Sequence, residues 1–200
     1  VATVLAAVMA IGLIGWLAGG LVLVAGAALL GWMGRTRQRA VVFDPCSPET
    51  ARRMLEAARL RAGEVIYDLG CGDGRVLIMA ARRGARGLGI EVDPILVLVA
   101  RLRARVSRVH RYVRIVRGDL HDADVSQADV VFQYLNSDAN ARLAPRLARQ
   151  LRPTARVVSL IHPMPGWTAA GALPAGMPGS LIYVYDSASW AGDLAARASA

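Results

Sequence analysis

The chain has 200 residues and a mass of 21.3 kDa, room for one core domain and little more. Hydrophobic residues make up 54% and the mean hydropathy is +0.37, which excludes a disordered chain and is high for a purely soluble domain. The net charge is +9 with arginine as the sole basic side chain besides histidine, a bias that GC-rich coding explains without function; two cysteines, Cys46 and Cys71, are too few for a disulfide framework or a zinc cluster and point to a reducing compartment.

Residues 1–34 contain no charged side chain. As one helix they would run about 51 Å, whereas a bilayer core needs ~30 Å, or about 20 residues. The run predicts a transmembrane anchor over 1–34, its span at about 10–32 with Trp32 at the interface. Arg35, Arg37 and Arg39 follow in a basic linker, 35–47, and by the positive-inside rule hold the C-terminal side in the cytoplasm. The expected location is therefore the cytoplasmic (inner) membrane, with the catalytic domain on its cytoplasmic side. A cleaved signal peptide is a poor fit, since there is no basic n-region and the apolar run is too long. Two alternatives remain open: a hairpin turning at Gly19-Gly20, and a buried soluble helix.

Ser47-Pro48-Glu49 reads as a helix start, with a serine cap, proline at the first helical position and an acid in the first turn. A helix is expected over 48–60. A buried strand over 65–69 runs into Gly70-Cys71-Gly72-Asp73-Gly74, then a helix over 75–83. A strand over 87–91, a helix over 94–110 and a strand over 113–116 follow. In the long helix Ile95, Leu98, Leu102, Val106 and Val109 recur at helical spacing and are read as its apolar face, with arginines opposite. Then come a strand over 130–134, a helix over 139–151, a strand over 156–161 and a late, antiparallel strand over 181–186. This alternation predicts an α/β fold with a Rossmann-like, doubly wound, mostly parallel sheet over 48–186. The tail, 187–200, is expected to be loosely ordered or a marginal helix.

In such sheets ligands bind beyond the carboxyl ends of the strands. The first strand ends in Asp68-Leu69-Gly70-Cys71-Gly72-Asp73-Gly74, a G-x-G-x-G loop rather than the G-x-G-x-x-G of a nicotinamide or flavin site, since Arg75 stands where the third glycine would be. The second strand ends in Glu91, placed to accept hydrogen bonds from both ribose hydroxyls of a nucleoside. After the third come Gly118-Asp119-Leu120, where an acceptor could read an adenine amino group.

The string from Val65 to Arg75 resembles motif I of class I S-adenosylmethionine (SAM) methyltransferases. Gly87-Leu88-Gly89-Ile90-Glu91-Val92-Asp93 resembles their motif II, and Gly118-Asp119-Leu120 their motif III. Pro45 with the segment from Ala51 to Glu56 narrows the resemblance. It is similar to an archaeal protein lysine methyltransferase and to the mitochondrial enzymes that methylate lysines of the adenine nucleotide translocase and of the c-type ring protein of ATP synthase. Gly166-Trp167-Thr168 resembles a further family stretch, with Ala169 where a proline would stand.

The resemblance implies SAM as cofactor, S-adenosylhomocysteine as product, and no metal. It implies that Asp68, Gly70 and Gly72 hold the methionine part, Glu91 the ribose, and Asp119 with Leu120 the adenine. Tyr134 and Asn136, after the fourth strand, would face the transferable methyl as catalytic candidates. The expected activity is methylation of lysine ε-amines of a membrane-associated protein. The alternatives are a membrane lipid or small isoprenoid as acceptor, or a SAM-binding module without turnover. Ordinary structural roles compete at several positions: a cap for Asp119, Asp73 and Asp93, loop packing for Tyr134 and Asn136, and a satisfied polar group for His162. The run Arg101, Arg103, Arg105, Arg108, Arg111, Arg114 and Arg117 is a solvated face or a contact with anionic lipid at a bilayer. Nucleic acid ranks third, because no aromatic residues alternate with the arginines.

Overall fold

The computed structural model describes Gly20 and residues 44–190. The predicted anchor except Gly20, most of the basic linker and the end of the tail lie outside the described residues. Among those described, no helix is long and apolar enough to cross a membrane.

The elements are α1 (Pro48–Ala57), β1 (Val65–Leu69), α2 (Arg75–Arg82), β2 (Arg86–Glu91), α3 (Pro94–Val106), β3 (Val113–Arg117), β4 (Val130–Gln133), α4 (Ser137–Gln150), β5 (Arg156–Leu160), β6 (Gly171–Pro174) and β7 (Leu181–Tyr185). The strands form one sheet in the order β3-β2-β1-β4-β5-β7-β6. β1 to β5 are parallel, and β7 runs antiparallel to both β5 and β6. Strand order reverses between β1 and β4, so the crevice that an open parallel sheet offers a ligand lies at their carboxyl ends.

Each face of the sheet carries its own core. One gathers Met54, Leu55, Leu77, Ile66 and Phe132 under α1, α2 and α3. The other gathers Leu143, Leu147, Met164, Trp167 and Tyr185 under α4. Fully burying each such side chain contributes roughly 1.5–3 kcal/mol. Ser47 caps α1 as expected, accepting from the Thr50 N–H at 3.0 Å, and Asp93 caps α3, accepting from Ile95 N–H at 2.8 Å.

Several expectations need correction. The helix over 48–60 ends at Ala57 and the one over 94–110 at Val106, because Arg59 (φ 49°) and Arg108 (φ 58°) turn left-handed just beyond them. Arginine fills the place glycine usually takes, so no stop signal was visible. The exposed edge strand β6 was missed: all four of its residues face solvent, and only Ala172 and Leu173 are apolar. Residues 187–190 are helical, and Trp190 is buried with its ring 4.9 Å from Trp167, so the first part of the tail belongs to the packed structure.

The largest correction concerns α3. It buries Val97, Ala100 and Ala104, not Ile95, Leu98, Leu102 and Val106. Close approach is the reason: a Cβ added at Gly74 would stand 3.2 Å from the Ala100 Cβ, and only small side chains fit there. Two arginines pin the rotation, Arg101 donating to the Ile115 carbonyl at 2.8 Å and Arg103 pairing with Asp73.

Candidate active site

The loop after β1 turns through three positive-φ glycines, Gly70 (83°), Gly72 (52°) and Gly74 (75°), a path that side-chain-bearing residues rarely follow. It is tied to β2 at both levels. Gly70 and Cys71 donate their N–H groups to the Ile90 carbonyl at 2.9 and 3.1 Å. Gly72 donates to Glu91 Oε2 at 2.9 Å, while Glu91 Oε1 accepts from Asp93 N–H at 2.9 Å. Glu91 thus fixes the glycine loop and the start of the next helix, and each of its oxygens keeps a further lone pair for a ligand. Cys71 packs where Gly89 has no side chain, since a Cβ there would stand 2.6 Å from its sulfur. Burial pushes the Cys71 thiol far up, so it is a packing residue and no nucleophile.

Asp68 closes the site from below. Its carboxylate is buried and makes no hydrogen bond among the described residues. Desolvation, with Glu91 and Asp73 as like-charged neighbours, pushes its pKa up to about 7. Asp73 precedes Gly74, the N-cap of α2, and its Oδ1 accepts from the first helical N–H, that of Arg75, at 3.2 Å. Its carboxylate also accepts from the Arg75 guanidinium at 2.6 Å and pairs with Arg103. Desolvation pushes against ionisation there, but these arginines prevail and hold the carboxyl below its usual range.

The site is rich in acceptors and poor in free donors. That fits a ligand carrying a positive charge and hydroxyls, as SAM does with its sulfonium, ammonium and ribose. At the third strand end, Asp119 is exposed and caps the short 3-10 turn Leu120–Asp122, accepting from His121 N–H at 2.9 Å; Leu120 is half-buried beside it.

The β4–β5 side is built differently. The Tyr134 hydroxyl donates to Asp44 Oδ2 at 2.6 Å. The Cys46 carbonyl accepts from Arg75 at 2.5 Å, so residues 44–46 run along the edge from the glycine loop to Tyr134. Burial and the Asp44 carboxylate push the Tyr134 phenol up to about 12, which keeps it protonated. Asn136 is exposed and caps α4, its side chain accepting from Ala139 N–H at 2.9 Å.

Sequence reasoning missed what lies beside them. Ile161, directly after β5, has φ 66°, an outlying conformation for a β-branched residue. A tight turn closes on it, His162 N–H donating to the Leu160 carbonyl at 2.8 Å. Fully buried Asn140 holds this turn by donating to the His162 and Pro163 carbonyls at 3.0 and 3.3 Å, and Ser159 donates to the His162 carbonyl as well. No residue type announces the turn. Asp44 was equally silent, because its partner is 90 positions away. His162 itself contacts Ser137 Oγ at 3.4 Å, a satisfied polar position.

Comparison with known proteins agrees with this architecture. Residues 68–171 match the model of the ANTKMT methyltransferase domain. A protein-lysine N-methyltransferase of Saccharolobus islandicus is 35% identical over 129 residues, covering 64% of this chain and 80% of that protein. The human lysine N-methyltransferase of the ATP synthase c-type ring protein is 30% identical over 156 residues, 78% of this chain and 66% of the human protein. Among solved structures, an RNA methyltransferase from Salinibacter ruber in complex with S-adenosyl-L-homocysteine is 42% identical with a TM-score of 0.69, covering 72% of this chain and 93% of that one. With its seven-stranded sheet and acceptor-rich glycine loop, the chain belongs to the ANTKMT methyltransferase domain family, SAM-dependent enzymes of the class I fold.

Proposed function

We propose that this enzyme methylates lysine ε-amines of a protein held at a membrane, acting from the cytoplasmic side. SAM supplies an electrophilic methyl on a sulfonium that departs as the neutral thioether of S-adenosylhomocysteine. Glu91 accepts from the ribose hydroxyls while bracing Gly72, and Asp68 faces the ammonium of the methionine part. Gly70 and Gly72 let that part approach the backbone, and Asp119 and Leu120 border the adenine.

The observation that carries the acceptor reading is the mouth beside β4. There an aromatic ring and a carboxylate, Tyr134 and Asp44, stand together and suit a cationic amine stem. The same pair repels phosphate. Tyr134 stays protonated and orients; Asn136 acts through the helix it caps. A lysine leaves water with a reference pKa of about 10.4, and desolvation on entry favours the neutral amine that attacks. The names of the archaeal and human relatives support this acceptor, and the uncharged run over 1–34 supports a membrane location.

A second reading, RNA as acceptor, has one observation in its favour: the Salinibacter ruber enzyme is described as an RNA methyltransferase. One experiment tests both. The full chain is incubated with tritiated-methyl SAM and native membranes plus total RNA, and the products are resolved into protein, lipid and RNA. Tritium in methyl-lysine is the expected result. Label confined to RNA or to lipid moves the acceptor there, and tight SAM binding without product makes the chain a binding module.

A further inference from the structure

The outer face of α3 has no partner among the described residues. Leu98 is 67% exposed, Leu102 60% and Val106 75%, with Ile95 and Val99 also exposed. At 3.6 residues per turn these five fall within about 100° of one another, opposite the buried Ala100 and Ala104. Arg101 and Arg105 lie along one flank of the stripe and Arg103 along the other. Shallow clefts of about 320 and 240 Å³ open beside its C-terminal half, rimmed by Arg82, Arg103 and Ser107. From residue 94 to 118 there are seven arginines and no acidic residue.

We propose that this face of α3 lies on an anionic lipid surface, the apolar stripe in the acyl boundary and the unengaged guanidinium groups of the run, Arg105 on the flank of the stripe first, among lipid phosphates. Charge complementarity selects this occupant. Of the seven arginines, Arg103 pairs with Asp73 and Arg101 donates to the Ile115 carbonyl, and the side chains of the other five make no hydrogen bond or ion pair among the described residues. A second copy of the chain would bring like charges face to face across an isologous contact. RNA would take the arginines but leave the stripe in water. A bilayer satisfies both at once, since arginine stems lie along apolar surface while their heads reach the headgroups. The proposal stands independently of the acceptor, because the contact can be read whether or not any lysine is methylated.

The test uses the full chain reconstituted with lipid vesicles. A spin label is placed at Leu102→Cys, with Arg149→Cys on exposed α4 as the control position. Burial pushes the native thiols up, Cys46 to about 11 and Cys71 further, so labelling near neutral pH favours the introduced cysteine. Vesicles of phosphatidylcholine with 30% phosphatidylglycerol are compared with pure phosphatidylcholine. The label at 102 is expected to become oxygen-accessible and shielded from a polar relaxant on the anionic vesicles only, while the label at 149 stays in water. Combining Arg105→Gln with Arg111→Gln is expected to shift the insertion equilibrium about fivefold per arginine. SAM affinity should hold, which shows that the variants fold. A label at 102 that stays in water on anionic vesicles overturns the proposal, as does equal shielding on both vesicle types. Shielding in detergent that rises with protein concentration overturns it too, assigning the face to a second copy. So does loss of RNA binding in the arginine variants when the label stays in water on vesicles.

Discussion

The two halves of the sheet's carboxyl edge are made of different material. Beyond β1 and β2 the edge is a glycine loop with three carboxylates, Glu91 braced by backbone N–H groups, Asp73 by two arginines, and Asp68 without a hydrogen bond among the described residues. Beyond β4 and β5 it is a phenol, an asparagine cap and a strained isoleucine turn, held by contacts between residues far apart in the chain. Both halves need the assembled sheet, since Gly72 meets Glu91 across 19 positions and Tyr134 meets Asp44 across 90; they differ in chemistry, the first presenting carboxylates and the second a neutral phenol and a backbone turn. Damage to the first should therefore appear in SAM affinity, and damage to the second in transfer with SAM affinity intact.

The largest effect is expected from Glu91→Ala. It removes the brace on Gly72 and, on the proposed reading, the charge-assisted bonds to the ribose, each worth ~1.5–3 kcal/mol, so SAM affinity should fall about a hundredfold by calorimetry. Unchanged affinity would dissolve the contrast between the halves.

Next is the pH dependence set by Asp68. Its ligand-free pKa of about 7 means that the free site takes up a proton below that pH, whereas a cationic ligand requires the ionised form. SAM affinity should fall up to tenfold per pH unit below about 7 and level off above it. Asp68→Asn should be weaker at high pH and flat throughout. The sign for folding is opposite. The folded pKa lies above the ordinary carboxylate value of about 3.9, so the ligand-free protein loses stability as pH rises from there to about 7.

On the other half, Asn140→Ala removes two of the three side-chain hydrogen bonds that hold the turn at Ile161 and leaves that of Ser159. It should cost ~1–3 kcal/mol of stability and lower kcat about tenfold, with the Kd for SAM unchanged. A loss of SAM affinity instead would show that the halves are coupled. Tyr134→Phe should give the smallest change, about 2–10-fold in kcat/KM for the acceptor, because it removes one hydrogen bond to Asp44 and keeps the ring.

This contrast also explains what could be read in advance. The glycine loop and the caps at Ser47 and Asp93 are short-range patterns whose physics lies within a few residues, and Glu91 closes a predicted strand, so all of them were visible in the chain itself, although the bond from Gly72 to Glu91 was not. The doubly wound, mostly parallel sheet followed from alternation. The rotation of α3 was not visible. Its strongest apolar periodicity points outward, and what turned it was the missing Cβ of Gly74 facing Ala100, 26 positions away. Ile161 carries the same lesson, since a β-branched residue at positive φ contradicts its own propensity and is held there by Asn140 and Ser159.

The position of β7 has a consequence for the order in which the protein is made. β6 emerges from the ribosome before β7 yet pairs only with it, because β7 lies between β6 and β5. The five parallel strands and the glycine loop can assemble while β6 waits without a partner. The β5 flank then stays open until Tyr185 and Trp190 have been released, and the nascent chain completes the glycine-loop side of its sheet before the β5 side.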